Sequence, residues 1–421
     1  MPAAGVIDAT DDVTEDSSAD ILPAAAPRRR YHLAMYVALA IAGVTVLAVA
    51  AGVAWSRHNS HTAKVPAAAP LPLVSVDPPA GTTGIRPDTK ITVTANRGQL
   101  TSVDLVDNSG NTVAGALAPL GRSWTSTATL YLARHYKLTA VLVGVKNAKH
   151  PVVRTSDFYT VRPAGLLGTQ ITPGDNQTVG VGQPIIVRFA NPVANRNVIT
   201  ALLTVSMSKP VDGAWHWFGP KEVHYRPREY WPAGEQINVA ARVTNVDAGN
   251  NIWGEVDRTV TFKIGDAHVS TVDTDAHTMT VTSNGVVQRT LPISAGRDKY
   301  PTMSGVHVTL DKAQHVVMDS STVGIPVNSP DGYKEDVYWN VAITDGGEYV
   351  HAAPWSVGAQ GNRNVSHGCV NLSTPDATWF YNFSLPGDIV SIVGTPRGPS
   401  SSDPGTMDWN MGWDQWVQPV A

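Results

Sequence analysis

Pro173-Gly174-Asp175, followed by Ile185-Ile186-Val187-Arg188, restates a pattern already set out by Pro78-Pro79-Ala80-Gly81 and Ile91-Thr92-Val93-Thr94. Two further pairs keep a similar spacing. Tyr136-Lys137-Leu138-Thr139-Ala140-Val141 answers Glu235-Gln236-Ile237-Asn238-Val239, and Phe158-Tyr159-Thr160-Val161 answers Val260-Thr261-Phe262-Lys263-Ile264. Apolar and polar residues alternate in these runs, which is the period of a half-buried strand. Turn chemistry such as Asp107-Asn108-Ser109-Gly110 separates them. An offset of roughly 100 residues between matched elements predicts two tandem copies of one β-sandwich, over 73–163 and 164–265.

On the N-terminal side, residues 1–32 read as a disordered tail: the first 27 carry six carboxylates (Asp8, Asp11, Asp12, Glu15, Asp16 and Asp20) and no aromatic residue. Arg28-Arg29-Arg30 precedes a stretch from Leu33 to Trp55 without a single charge. At helical rise that stretch spans the roughly 30 Å of a bilayer core, so 33–55 is expected to be a transmembrane anchor. The arginines then stay cytoplasmic and everything C-terminal is exported to the extracytoplasmic, cell-wall side. A cleaved signal peptide, ending in the small residues of Ala48–Ala54, is the rival reading. Residues 56–72, with Pro66-Ala67-Ala68-Ala69-Pro70, read as a linker that stands off a surface.

The second repeat holds Trp215, Trp217, Tyr230 and Trp231, which either stack on a glycan or pack between domains. Asp247-Ala248-Gly249-Asn250-Asn251 has the oxygens for a cation, although a solvated turn is the plainer expectation. Composition limits the partners further. A formal net charge of -4, spread over both signs, excludes the basic footprint of a nucleic-acid binder. One cysteine leaves no disulfide and no cysteine-based zinc cluster, and no cofactor or metal is expected.

Residues 266–395 remain largely β, with a hairpin signal at Ser283-Asn284-Gly285 and turns at Gly296, Gly305, Gly346-Gly347 and Gly358. One helix is expected after Ser373-Thr374-Pro375, with Thr374 as cap, and Ile389-Val390-Ser391-Ile392-Val393 closes the domain. The lone thiol, Cys369, lies in Ser366-His367-Gly368-Cys369-Val370-Asn371. A thiol near pKa 8.5 is mostly protonated at neutral pH, so a nucleophilic cysteine needs an imidazole beside it. His367 projects to the same side only if the segment is extended. His351, in Tyr349-Val350-His351, can instead present its ring from a separate strand. Gly361 and Gly368 permit the turns, and the amides around Cys369 are candidates for an oxyanion site.

Ser366–Asn371 with His351 upstream resembles the signature of the L,D-transpeptidases that crosslink bacterial peptidoglycan. Met318-Asp319-Ser320-Ser321, Asn328-Ser329-Pro330-Asp331-Gly332-Tyr333 and His351-Ala352-Ala353-Pro354-Trp355-Ser356 resemble the membrane-anchored mycobacterial members. The resemblance implies a mainly β chain: a transmembrane helix, two immunoglobulin-like sandwiches and a C-terminal β-rich catalytic domain. It implies that Cys369 attacks a stem tetrapeptide, releases D-alanine as a thioester forms, and passes the acyl group to the side-chain amine of a second stem. It also implies acylation by carbapenems. His351 would be the base, Gly368 and Cys369 the oxyanion hole with Tyr333 assisting, and Gly346, Gly347, His367, Asn371, Tyr333 and Met318 the substrate contacts. Water as acceptor would make the chain an L,D-carboxypeptidase. Ala352 stands where close relatives carry Ser; if that hydroxyl mattered, the domain would be a weakly active wall-binding scaffold. The tail over 396–421, with Trp409, Trp413 and Trp416, is expected to pack back onto the domains.

Overall fold

Strands β1 (Val74–Asp77), β2 (Thr92–Ala95), β3 (Gln99–Asp107), β4 (Gly115–Leu117), β5 (Ser123–Ser126), β6 (His135–Val143) and β7 (Val152–Tyr159) form two sheets, ordered β1-β2-β5-β4 and β3-β6-β7. They belong to a computed structural model that describes residues 73–418. The expected tail, transmembrane anchor and linker lie outside the described residues. Within those residues no helix is long and apolar enough to cross a membrane.

The period of two seen in the sequence is what fills the first core. Along β6 the side chains of Tyr136, Leu138, Ala140 and Leu142 are buried, while the residues between them lie nearer the surface. They meet Ile91, Val93, Trp124 and Phe158 in one cluster.

The second copy repeats the first strand for strand. Its elements are β8 (Gly165–Leu167), β9 (Thr169–Thr172), β10 (Thr178–Val179), β11 (Ile185–Phe189), β12 (Leu203–Ser206), β13 (Gly213–Trp217), β14 (Glu222–Pro227), β15 (Gln236–Ala241), β16 (Asp247–Gly249), β17 (Ile252–Gly254) and β18 (Arg258–Ile264). The sheet β9-β11-β14-β13 reproduces the order β1-β2-β5-β4, and β12-β15-β18 reproduces β3-β6-β7. The second copy adds β10, parallel to β18, and a small sheet of β8, β17 and β16 beside the first sandwich. The Asp247–Asn251 segment belongs to that small sheet and serves packing: Arg86 of the first sandwich pairs with Asp247 at 2.8 Å and lies over Trp253. No cluster of His, Cys, Asp or Glu suited to a metal occurs among the described residues. Trp217 and Trp231 are core residues, and Trp215 packs edge-on against Tyr225.

Beyond β18 come β19 (His268–Asp273), β20 (Thr278–Ser283), β21 (Val286–Pro292), β22 (Gly305–Val308), β23 (Lys312–Asp319), β24 (Lys334–Ala342), β25 (Tyr349–Ala352), β26 (Val370–Leu372) and β27 (Ile389–Val393). A five-stranded sheet, β21-β20-β19-β27-β22, stands beside a four-stranded one, β23-β24-β25-β26. Asn284 and Gly285 both adopt positive φ in the β20–β21 hairpin, as an Asn-Gly turn requires. The helix Thr374–Phe383 buries Ala377 and Phe380 in the same core. Its cap is Ser373, one residue earlier than expected: the Ser373 Oγ accepts from the Asp376 N–H, which leaves Thr374 inside the first turn with Pro375.

The second sandwich and this domain share buried contacts. Val308 and Ile389 join the second sandwich's core, and Gly180 and Gly182 donate to Pro386 and Gly387. The C-terminal segment then returns to the second sandwich. Trp416 is fully buried with its Nε1 donating to Ala214, and Arg226 lies over the rings of Trp409, Trp413 and Trp416 at 4.5–5.3 Å. His224 is buried beneath them, its Nδ1 2.8 Å from Asp408 and its Nε2 2.7 Å from Glu222. The three tail tryptophans thus act as packing residues.

Candidate active site

The site is built on a parallel pair. Strands β25 and β26 align Val350 with Val370, His351 with Asn371 and Ala352 with Leu372. Alternate residues of a strand share a face, and cross-strand partners share it too, so Cys369, Asn371 and His351 project to the same side. Sequence proximity plays no part in this, because eighteen residues separate the two reactive groups.

The chain enters β26 through a sharp bend. Gly368 has φ of +133°, a conformation that side-chain-bearing residues rarely adopt, and a Cβ there would lie 3.0 Å from the Glu348 Oε1. Ser366 staples the bend: its Oγ accepts from the Gly368 N–H at 3.1 Å and donates to the Cys369 carbonyl at 2.6 Å. Thr302 Oγ1 donates to the Gly368 carbonyl at 2.7 Å. The Gly368 amide is therefore engaged within the bend, whereas the Cys369 N–H makes no hydrogen bond among the described residues.

His351 is 3% exposed. Its Nδ1–H donates to the Ala352 carbonyl at 2.9 Å, which leaves the Nε2 lone pair free to accept a proton. Burial holds the imidazole neutral, with its pKa pushed down to about 4. Burial acts on the sulfur in the opposite sense and pushes the thiol up to about 12, with the Glu348 charge adding to the rise and the Tyr349 N–H opposing it. The thiol donates to the Gly347 carbonyl at 3.7 Å. Both shifts favour a resting pair of neutral thiol and neutral imidazole, so proton removal must accompany bond formation.

A cleft of about 150 Å³ opens over the pair. Of the residues expected there, Met318, Tyr333, His351, His367, Cys369 and Asn371 line it. Tyr333 contributes a protonated phenol, its pKa raised to about 12 by burial and by the nearby thiol. His367 is engaged by other partners. Its segment is bent, its ring packs against Tyr300 and Tyr333, and its Nε2 accepts from the Arg297 guanidinium at 2.8 Å. Asn371 is held by donating to Ser356 Oγ at 3.1 Å.

The other two expected contacts do not line this cleft: the Gly347 carbonyl accepts from the thiol itself, and the Gly346 N–H donates to Asp403 of the C-terminal segment. The cleft also recruits Trp355, Glu335, Val337, Val365 and Ser366, to which no role was given from sequence. Trp355 was the most accessible to reasoning. It follows the histidine by four residues and is 54% exposed, an unusual place for an indole.

The chain is similar to known proteins along most of its length. A family model described as a bacterial Ig domain matches residues 82–247, and one described as an L,D-transpeptidase catalytic domain matches residues 267–392. L,D-transpeptidase 2 of Mycobacterium tuberculosis is 38% identical over 402 residues, 94% of this chain and 97% of that protein. L,D-transpeptidase 5 of the same species is 32% identical over 361 residues, 84% of this chain and 78% of the relative. Among solved structures, the L,D-transpeptidase LdtMt1 in complex with imipenem is 37% identical, with a TM-score of 0.49 over 54% of this chain and 99% of that one. With near-complete coverage by a relative and a catalytic-domain match that encloses the His351–Cys369 cleft, the chain belongs to the L,D-transpeptidase family and is an acyltransferase.

Proposed function

We propose that the protein joins peptidoglycan stem peptides through a thioester on Cys369, using His351 as general base and then general acid. In the first step the sulfur attacks the carbonyl before the terminal D-alanine of a tetrapeptide donor. The thiol proton passes to His351 Nε2 and from there to the departing D-alanine amine. In the second step the side-chain amine of an acceptor stem attacks the thioester, His351 takes its proton, and the sulfur leaves to yield a 3→3 crosslink. The developing oxyanion is met by the Cys369 N–H with the Tyr333 hydroxyl assisting, while Gly368 supplies the bend that aims them. Met318, His367 and Asn371 hold the donor stem along the cleft.

The hydrogen bond from His351 Nδ1–H to the Ala352 carbonyl carries this reading. It orients the imidazole through the backbone, which supports a competent base without a serine hydroxyl at position 352. Carbapenems, which present a strained acyl group, should acylate the same sulfur. Residues 33–55 anchor the protein in the cell membrane, with the sandwiches setting the reach of the catalytic domain into the wall.

Incubation with a disaccharide tetrapeptide, followed by mass spectrometry, tests the chemistry. Crosslinked dimer with release of D-alanine is expected. Tripeptide without dimer would identify an L,D-carboxypeptidase, and a Cys369→Ala variant with full activity would refute the thioester. Deleting 33–55 should move the protein out of the membrane fraction.

A further inference from the structure

Glu348 is 6% exposed, and it lies directly behind the bend that carries the nucleophile. Its Oε2 accepts from the Met303 N–H at 3.2 Å, and its Oε1 pairs with the Arg397 guanidinium of the C-terminal segment. That same Oε1 is the atom a Cβ on Gly368 would meet. The carboxyl group therefore occupies the space a side chain at position 368 would take, next to Cys369, and its charge acts on the sulfur. None of the steps proposed above uses it.

We propose that Glu348 is a positioning residue that sets the charge behind the Cys369 nucleophile, with Arg397 fixing its carboxyl group against the Gly368 bend. When Glu348 is protonated, the Glu348–Arg397 pair carries one positive charge and favours a developing thiolate. Once Glu348 ionises, the pair is neutral and that assistance is lost.

Other groups facing Glu348 shift the total charge but leave unchanged the one-charge step that its ionisation makes. Asp403 adds a carboxylate that raises Glu348 further, while His307, which contacts the Met303 carbonyl, is held neutral by burial. Burial is the main influence on Glu348 itself and outweighs Arg397, so the group titrates at about 7, within the range where the enzyme would work. The C-terminal segment thereby supplies half of an electrostatic element of the active site, beyond its packing role.

This inference rests on Cys369 being the nucleophile, and its test reads the thiol directly. The rate at which iodoacetamide alkylates Cys369 is followed by mass spectrometry in the unaltered protein, Glu348→Gln and Arg397→Gln, each first checked for cooperative melting. Iodoacetamide loses iodide as the sulfur–carbon bond forms, so the rate follows the thiolate fraction. Glu348→Gln fixes the pair at one positive charge. Its profile should coincide with that of the unaltered protein well below the Glu348 titration at about 7 and run above it at higher pH. A separation of about threefold or more is expected, half a unit in thiol acidity.

Arg397→Gln removes the cation that lowers Glu348, so its inflection should move to higher pH. The two variants fail independently, so a folding defect in one leaves the other decisive. Parallel profiles for all three proteins would overturn the role of Glu348 and leave transpeptidation untouched. Separated profiles with no crosslinked product would uphold Glu348 and refute only the proposed reaction.

Discussion

His351 is oriented by its own neighbour: the Nδ1–H donates to the carbonyl of Ala352, 2.9 Å away, and both residues lie on β25. A backbone acceptor cannot be removed by changing the side chain of the residue that carries it. Ala352→Ser should therefore leave turnover close to that of the unaltered enzyme. His351→Gln should lower the acylation rate by about 10²–10⁴-fold, the range for loss of a general base. Single-turnover acylation by a carbapenem, read by mass, checks both.

The same imidazole makes a prediction about pH. Because burial pushes His351 down to about 4, the base is already unprotonated well below the ordinary histidine range. The acid limb of carbapenem acylation, measured in Glu348→Gln so that one group titrates, should fall nearer pH 4 than 6.5. A midpoint at the ordinary histidine value would mean that the ring is solvated.

Gly368→Ala should be poorly tolerated. The new Cβ meets positive φ and the Glu348 carboxylate at once. Strain of this kind costs about 1–3 kcal/mol, visible as a lower melting temperature, and the misdirected bend should reduce acylation more than stability.

Glu222 predicts an acid-labile junction. Its hydrogen bond to His224, with help from Arg188, holds the carboxyl at about 2, below its usual 4.5. A depressed carboxylate stabilises the fold above its unfolded pKa, and that contribution is lost as pH falls from about 4.5 towards 2. His224 works in the opposite direction. Despite its burial, Asp408 and Glu222 raise it above 6.5, so its contribution is complete below that value and fades as pH rises through its folded pKa. Denaturant titrations of Glu222→Gln should show a flatter acid limb than the unaltered protein.

Trp416→Ala should remove a fully buried indole and cost about 3–5 kcal/mol. The loss should appear in the unfolding of the second sandwich with the catalytic domain, with the first sandwich unaffected, as segment-resolved hydrogen exchange would show.

Much of this architecture is legible in the sequence. The strands around Ile91, Ile185, Tyr136 and Ile237 announce themselves because one face is buried, and burial imposes a period of two on the side chains. Cys369 stands out in the sequence as the single thiol, preceded by His367 and Gly368, whereas the residues alone leave both His351 and His367 open as its base and only the resemblance names His351. The position of the helix cap was missed by one residue, since Ser373 and Thr374 have interchangeable chemistry and only backbone geometry separates them. The resemblance implies the Gly368 amide in an oxyanion hole and Gly346 at the donor site, and the structure engages the two amides with Ser366 and Asp403. Glu348 left no mark at all. Its importance comes from lying behind Gly368, and nothing in a linear sequence records which residue stands behind another.

The polypeptide crosses the boundary between second sandwich and catalytic domain twice, once on the way from Ile264 to His268 and again when the segment after Arg397 returns to Trp416. A panel fastened along one edge can swing, but one fastened at two separated points cannot. The catalytic domain is in this way tied to the second sandwich at both of its ends, by the buried contacts of Val308 and Ile389 and by the return of Trp416.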